Sequence, residues 1–351
     1  MTLDFFKNKR IFLTGHTGFK GTWLCQILLR AGAEVTGYAL EPPTIPSLFD
    51  QTKTEKDIRS INGDVRNRDA LVKAVRDGKP DIVFHLAAQP LVRLSYREPA
   101  ATYETNVMGT VNILEAVRLC STVKSFVNVT TDKVYENREW HWGYRENENL
   151  CGFDPYSNSK SCSELATHSY RNCFFKESAP SISTARSGNV IGGGDYAEDR
   201  VIPDCVRAME AGTEIVIRNP HSIRPYQHVL ECLSGYLLLA QRQHDDKTIE
   251  GAYNFGPDDE SCVTTGVLAG LFCDAWGQSA AWRIEGDDGP HEANFLKLDC
   301  SKAKAVLNWK PHWEIKTAVE KTIEFAKANT DNERQACIDR QIKEYFRKND
   351  V

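Results

Sequence analysis

The stretch VTTDKVYEN (129–137) sets Thr131, Asp132 and Lys133 in a row where the apolar run VKSFVN gives out. A hydroxyl, a carboxyl and an amine in one place can hold a substrate oxygen, donate a proton and accept one. Thr and Asp are also good turn residues and Lys is usually solvated, so a plain turn is the alternative. Open α/β sheets build their sites at the carboxyl ends of strands, which favours the chemical reading. A second pair lies in PYSNSKSCSELA (155–166), where Tyr156 and Lys160 stand four apart at the start of a helical stretch. Residues i and i+4 share a helix face, so the ammonium can lower the phenol's pKa. An unperturbed tyrosine, at about 10, is protonated at neutral pH and needs neighbouring positive charge to act as a base.

The segment TGHTGFKG (14–21) joins a short β-rich run to a helical stretch. Gly15, Gly18 and Gly21, with Thr17, Phe19 and Lys20 between them, allow a tight turn, close backbone approach to a pyrophosphate and close helix packing. The phosphates would rest on the helix N-terminus, and Lys160 could then hold the cofactor ribose. A GxxGxxG triplet is weak alone; its place between the first strand and first helix reads as a dinucleotide site. The second strand ends in GYALE, with no Asp for the adenosine ribose, Glu41 arriving late, and no basic residue to welcome a 2′-phosphate. NAD is expected over NADP, with the choice left open. Asp64 in NGDV either accepts from the adenine amine or is a loop carboxylate.

The elements that must position these residues alternate. Strands are expected at 10–15, 34–40, within 57–65, at 81–88, 124–131 and 181–190. Helices are expected at 20–31, 68–77, 100–119 and 156–175. Repeated βα units with apolar strands predict an α/β fold, a Rossmann-type doubly wound parallel sheet covered by helices on both faces. The rhythm then breaks into strand-like pieces at 214–219 and 251–256, helices at 229–242 and 264–276, and a long charged helix from about 314 towards the end. The expected division is a dinucleotide-binding domain over 1–186, with 226–255 returning to it. A smaller α+β substrate-binding lobe takes most of 187–351.

Composition excludes several classes. The chain has 351 residues, 26% charged, with a net charge of −5, which favours neither a disordered chain nor a nucleic-acid binder. No apolar run approaches the ~20 residues of a membrane span, and the start lacks a signal peptide's apolar centre. The eleven cysteines are scattered singly without a CxxC pair, which reads as reduced thiols in a cytoplasmic protein and gives no metal-ligand set.

Taken together, TGxxGxxG, HLAA (85–88), Asn106 in YETNVMGT and YxxxK resemble the extended short-chain dehydrogenase/reductases that act on nucleotide sugars. The late segment LDCSKAKAVLNWKP (298–311) extends that resemblance over nearly the whole chain. Within the group, the 4,6-dehydratases carry Thr-Asp-Glu after the fifth strand. The Thr131-Asp132-Lys133 variant, with IRPYQHVLE (223–231), resembles the branch acting on CDP-glucose in bacterial 3,6-dideoxyhexose and O-antigen synthesis. The resemblance implies that Gly15, Thr17, Gly18, Phe19, Lys20, Gly21, Asp64, Val65, Leu86, Ala87, Ala88, Tyr156 and Lys160 bind NAD. Tyr156 would take the O4 proton during oxidation at C4, Thr131 would bond the same oxygen, and Asp132 would protonate the departing C6 hydroxyl. Lys133 departs from the commoner Glu: with an ordinary pKa of about 10.4, it must be neutral when it reacts, or clamp the enolate while another group takes the C5 proton.

The resemblance also places Asn189, Arg200 and Arg224 on the substrate, the arginines because their planar fork suits phosphate. Arg218 and Glu292 are candidates near the base or ribose, or else surface charges. His85 and His228 are expected to serve packing or loop geometry. Trp140 and Trp142 belong either to a loop over the site or to the structure. A homodimer is implied through helices 100–119 and 156–175, with a tetramer as the larger alternative. An epimerase or 4-ketoreductase of the same fold is the runner-up, since it needs Tyr156 and Lys160 but not the pair at 132 and 133. A non-catalytic dinucleotide sensor would be expected to lose the tyrosine or lysine.

Overall fold

The computed structural model describes residues 3–176, 180–277, 280–286 and 294–347. Its centre is a seven-stranded, all-parallel sheet built from Arg10–Thr14 (β1), Glu34–Ala39 (β2), Arg59–Asn62 (β3), Ile82–His85 (β4), Ser125–Val129 (β5), Ser181–Ser187 (β6) and Ala252–Phe255 (β7). The order across the sheet is β7-β6-β5-β4-β1-β2-β3. Strand side chains alternate between faces, and the core divides accordingly. Ile11, Leu13, Phe84, Val127 and Val129 face one cluster, with Trp23, Leu24, Leu233 and Leu237 packed there. Phe12, Val83 and Phe126 face the other, against Leu71, Val75, Ile113 and Val117. Helices therefore cover both faces: Phe19–Arg30 (α1) and, later, Val229–Asp245 on one; Arg68–Gly78 (α2) and Gly109–Arg118 (α3) on the other. The doubly wound parallel sheet is the fold that the βα rhythm predicts.

Register sets the site. Thr14 pairs with His85, His85 with Asn128 and Asn128 with Thr184, so four strands end on nearly one row. The strand order reverses about β1, whose neighbours are β4 and β2, and such a reversal opens a crevice at the carboxyl ends. The segments just past the row are Gly15, Leu86–Ala88, Thr130–Lys133 and Ser187–Asn189.

The helix Pro155–Phe174 (α4) starts with Pro155 in its first turn and Asp154 capping Ser157 N, a sequence suited to a helix start. The stretch 100–119 is not one regular helix. Pro99–Tyr103 leads into a π-helical turn, Glu104–Met108, before α3. Asn106 lies in that turn and its amide donates to the Gln89 carbonyl while its Oδ1 accepts from Gln89 N, which fixes the loop after β4.

The remainder packs Val201–Glu210 (α5), Thr265–Trp276 (α7, after α6, Val229–Asp245) and Ile315–Ala326 (α8) around Ile202, Ile215, Ile217, Phe272 and Ile323. Three two-stranded pairs accompany them, including Ile223–Pro225 with Cys262–Thr264. The expected single long C-terminal helix is two: α8 ends at Ala326 and Asp331–Arg347 (α9) follows. The break is a reciprocal cap, with Thr330 Oγ1 accepting from Glu333 N and the Glu333 carboxylate accepting from Thr330 N. Among the described residues no helix is long and apolar enough to cross a membrane.

Candidate active site

A cavity of about 1280 Å³ opens at the carboxyl ends of the strands. Its lining brings together the glycine loop, the TTDK stretch, the tyrosine and lysine of α4, and Asn189, Arg200, Arg218 and Arg224. Glu292 lies outside the described residues.

The glycine loop is a cradle. Gly15 has φ +78, and a Cβ there would come within 2.7 Å of Ala87 N, so only glycine fits. Gly21 packs against Gly15 O closely enough that a Cβ there would collide with it. Gly18 differs: a Cβ would meet only Gly15 O at 3.5 Å, ordinary contact. The fold itself does not demand glycine at 18, whereas a ligand backbone approaching the loop would. Gly18 also caps α1 without a side-chain bond, leaving the N-terminal amides of that helix facing the cavity. Thr17 Oγ1 donates to Leu40 O, tying the loop to the end of β2. These features fit a dinucleotide pyrophosphate. Asp64 accepts from Arg66 N, Nε and NH2, and that cation holds its carboxyl below the usual range. Glu41 Oε1 accepts from Asn62.

At the end of β5, Thr131 caps a 3₁₀ turn, Asp132–Val134. Its hydroxyl donates to Asp132 Oδ1 at 3.0 Å. Asp132 is buried, and its Oδ2 has no hydrogen-bond partner among the described residues. Burial raises its pKa; Lys133, the Thr131 hydrogen bond, Arg224 and Lys20 oppose the rise. Gly188 makes this possible, because a Cβ there would stand 2.9 Å from Asp132 Oδ2. TTDK is thus a largely buried turn carrying a carboxyl whose pKa burial raises, rather than a solvated surface turn.

Tyr156 lines the cavity together with Thr131. Burial pushes its phenol up to about 12, against the opposing pull of Thr131 and Arg200. Lys160, four residues further along α4, turns to the end of the neighbouring strand. It donates to Val129 O at 2.9 Å, at the end of β5. Burial lowers the Lys160 pKa to about 8, with Lys20 lowering it further and Glu164 opposing. Lys20 donates to Ser187 Oγ, bringing a second, half-buried amine to the cavity wall.

On the substrate side, Arg200 Nη1 donates to Asp195 Oδ2 at 2.8 Å, and Arg218 Nη1 to Asp199 Oδ1 at 3.2 Å. Arg224 is buried and donates to Ile223 O. Asn189 O accepts from Gln227 N. His85 joins Thr14 and Thr110, and His228 caps α6 between Trp23 and Trp313, both in packed interiors. Trp140 stacks on Tyr144 with Trp142 at its edge, and neither lines the cavity.

Sequence reasoning missed the carboxylates that hold these cations, Asp195 and Asp199, and the cavity residue Arg93. It also missed Glu164, one turn beyond Lys160, which pairs with Arg186 of β6 and accepts from Thr130 and Thr184. That buried network ties α4, the residue before Thr131 and the strand leading to Asn189. YxxxKxxxE was a usable signal for Glu164; the partners across the fold were not.

Comparison with known proteins places these features in context. The sequence profile described as GDP-mannose 4,6 dehydratase matches residues 12–322. A protein of Salmonella typhimurium, CDP-glucose 4,6-dehydratase, is 49% identical over 98% of this chain and 98% of its own length. Among solved structures, UDP-glucose 4-epimerase of Thermus thermophilus in complex with NAD superposes with a TM-score of 0.80 at 22% identity, covering 92% of this chain and all of that one. dTDP-glucose 4,6-dehydratase of Bacillus anthracis in complex with NAD gives 0.75 at 20% identity, covering 91% and 96%. These two likenesses establish the fold.

Proposed function

The chain belongs to the GDP-mannose 4,6 dehydratase family, and from that premise we propose that it converts CDP-D-glucose to CDP-4-dehydro-6-deoxy-D-glucose and water, with NAD as cofactor. The observation that carries the reading is Asp132. It is a buried carboxyl whose pKa burial raises, beside Lys133, hydrogen-bonded by Thr131 and sharing the cavity wall with Tyr156. An epimerase or a ketoreductase has no use for such an acid.

Gly15, Thr17, Gly18, Phe19, Lys20 and Gly21 would hold the cofactor's pyrophosphate side, and Asp64, Val65 and Leu86–Ala88 would flank its adenosine. Lys160 would take ribose hydroxyls. When bound, NAD supplies a positive charge, a hydride acceptor for C4 and the same hydride's donor at C6. The positive charge of the bound cofactor would lower the Tyr156 phenol's pKa so that its Oη can take the proton from the sugar O4, and Thr131 bonds that oxygen. A ketone at C4 then makes the C5 hydrogen acidic. Lys133 either accepts the C5 proton in its neutral form or clamps the enolate oxygen while another group takes that proton, and Asp132 gives its proton to the C6 hydroxyl, which leaves as water. Asn189, Arg200, Arg218 and Arg224 grip the nucleoside diphosphate.

The wider proposal is a dinucleotide-binding domain over 1–186, with 226–255 returning to it, and a sugar-nucleotide lobe over most of 187–351. It works as a cytoplasmic homodimer or tetramer supplying a deoxysugar for O-antigen. Support for self-association comes from Met108, Leu119, Leu165 and Phe174, large apolar side chains left exposed on neighbouring helices. The test is incubation with NAD and CDP-, dTDP-, UDP- and GDP-sugars, followed by mass spectrometry. Loss of one water from CDP-glucose in preference to the others is expected; loss from another nucleotide alone would overturn the CDP assignment.

A further inference from the structure

Three residues at the cavity wall are joined although the chain brings them from separate elements. Arg93 lies on the short helix Val92–Arg97 that follows β4, and Arg218 directly follows the strand Ile215–Ile217. Both meet one oxygen, Asp199 Oδ1: Arg218 Nη1 at 3.2 Å and Arg93 Nε at 3.8 Å. Asp199 sits on the loop before α5 with φ +58, a left-handed backbone that Asp tolerates better than most residues. All three line the cavity.

Their exposure decides what the pairing can do. The side chains are 27%, 34% and 40% exposed for Arg93, Asp199 and Arg218. Water reaches them, so each pair contributes only ~0–1 kcal/mol, and a better anion can displace the carboxylate. A diphosphate is such an anion: it carries more charge than one carboxylate and offers several oxygens to a planar guanidinium.

We infer that Arg93 and Arg218 form a phosphate subsite that Asp199 occupies as a substitute anion, and that a nucleoside diphosphate binds by taking their place on the guanidiniums. This rests on the reading of the ligand as a nucleotide sugar. Asp199 is then a residue that opposes binding. It keeps two like charges compensated in the free protein and sets a threshold that weakly charged ligands do not pass.

The inference fixes a sign that a purely supporting role would not give. Asp199→Asn and Asp199→Gly each remove the competing charge, and Gly also suits the left-handed backbone. Calorimetric titration with inorganic pyrophosphate, CDP and UDP should show pyrophosphate and CDP both bound on the order of three- to tenfold more tightly in both variants. Arg93→Ala should weaken both. If Asp199 merely holds Arg218 in place for the ligand, both Asp199 variants bind more weakly; weaker or unchanged affinity in both overturns the inference. Tighter binding without preference for CDP over UDP would keep the subsite and remove the CDP reading. A CDP preference with unchanged affinities in the variants would do the reverse, and a wild-type protein that binds neither probe overturns both.

Discussion

At Tyr156 burial pushes the phenol up to about 12 against Thr131 and Arg200, so the free protein holds it neutral and it becomes a base for O4 only with the cofactor's positive charge bound. Tyr156→Phe should therefore stop the cycle before any ketone forms, and turnover at the wild-type rate would remove the tyrosine from the oxidation. Asp132→Asn and Lys133→Met act later. Each should still permit oxidation at C4, so reduced cofactor accumulates in a single turnover while water loss slows by on the order of 10²–10⁴. Cofactor absorbance and deuterium uptake at C5 read the two steps separately. Lys160 carries a pH dependence. Its pKa is lowered from 10.5 to about 8, so the ammonium is present below about 8 and lost above it. NAD affinity should fall as pH rises through about 8, and Lys160→Met should flatten that fall. Between about 8 and 10.5 the unfolded chain binds the extra proton, so this group makes stability rise with pH there.

At the scale of elements, the glycine loop offers a clean separation of folding from binding. Gly15→Ala places a Cβ against the Ala87 backbone at φ +78 and should cost at least ~1 kcal/mol as well as cofactor affinity. Gly18→Ala meets no such obstacle. Its stability loss should stay within about 1 kcal/mol, the worth of a helix cap, while NAD affinity falls sharply by fluorescence titration. An unchanged affinity would mean that the pyrophosphate does not approach Gly18. Strands and helices were readable where periodicity is local: β1 to β6 and α1 fall within a few residues of the pattern. The helix α5 was not read, and two further features show why some structure escapes the pattern. The π-turn around Asn106 depends on its bonds to Gln89, which no spacing reveals. The break before α9 was signalled by the capping box of Thr330 and Glu333, yet a continuous charged pattern without Gly or Pro hid it.

Across the whole molecule, the candidate site was readable as motifs but not as electrostatics. The glycines, TTDK and YxxxK each follow a strand or open a helix, so their positions follow from the βα order. The partners of the cavity's cations do not, because Arg93 and Asp199 meet only when loops more than a hundred residues apart fold together. Exposed Met108, Leu119, Leu165 and Phe174 predict a dimer; sedimentation should show it at micromolar protein, and Leu165→Lys should shift it towards monomer. One protein is expected to oxidise C4, eliminate water across C5 and C6, and return the same hydrogen to C6. The most direct measurement is to supply CDP-glucose deuterated at C4 and locate the label in the product by NMR and mass spectrometry. One water lost and the deuterium carried to C6 are the expected result. Deuterium that remains at C4, or an isomer with no water lost, would contradict it.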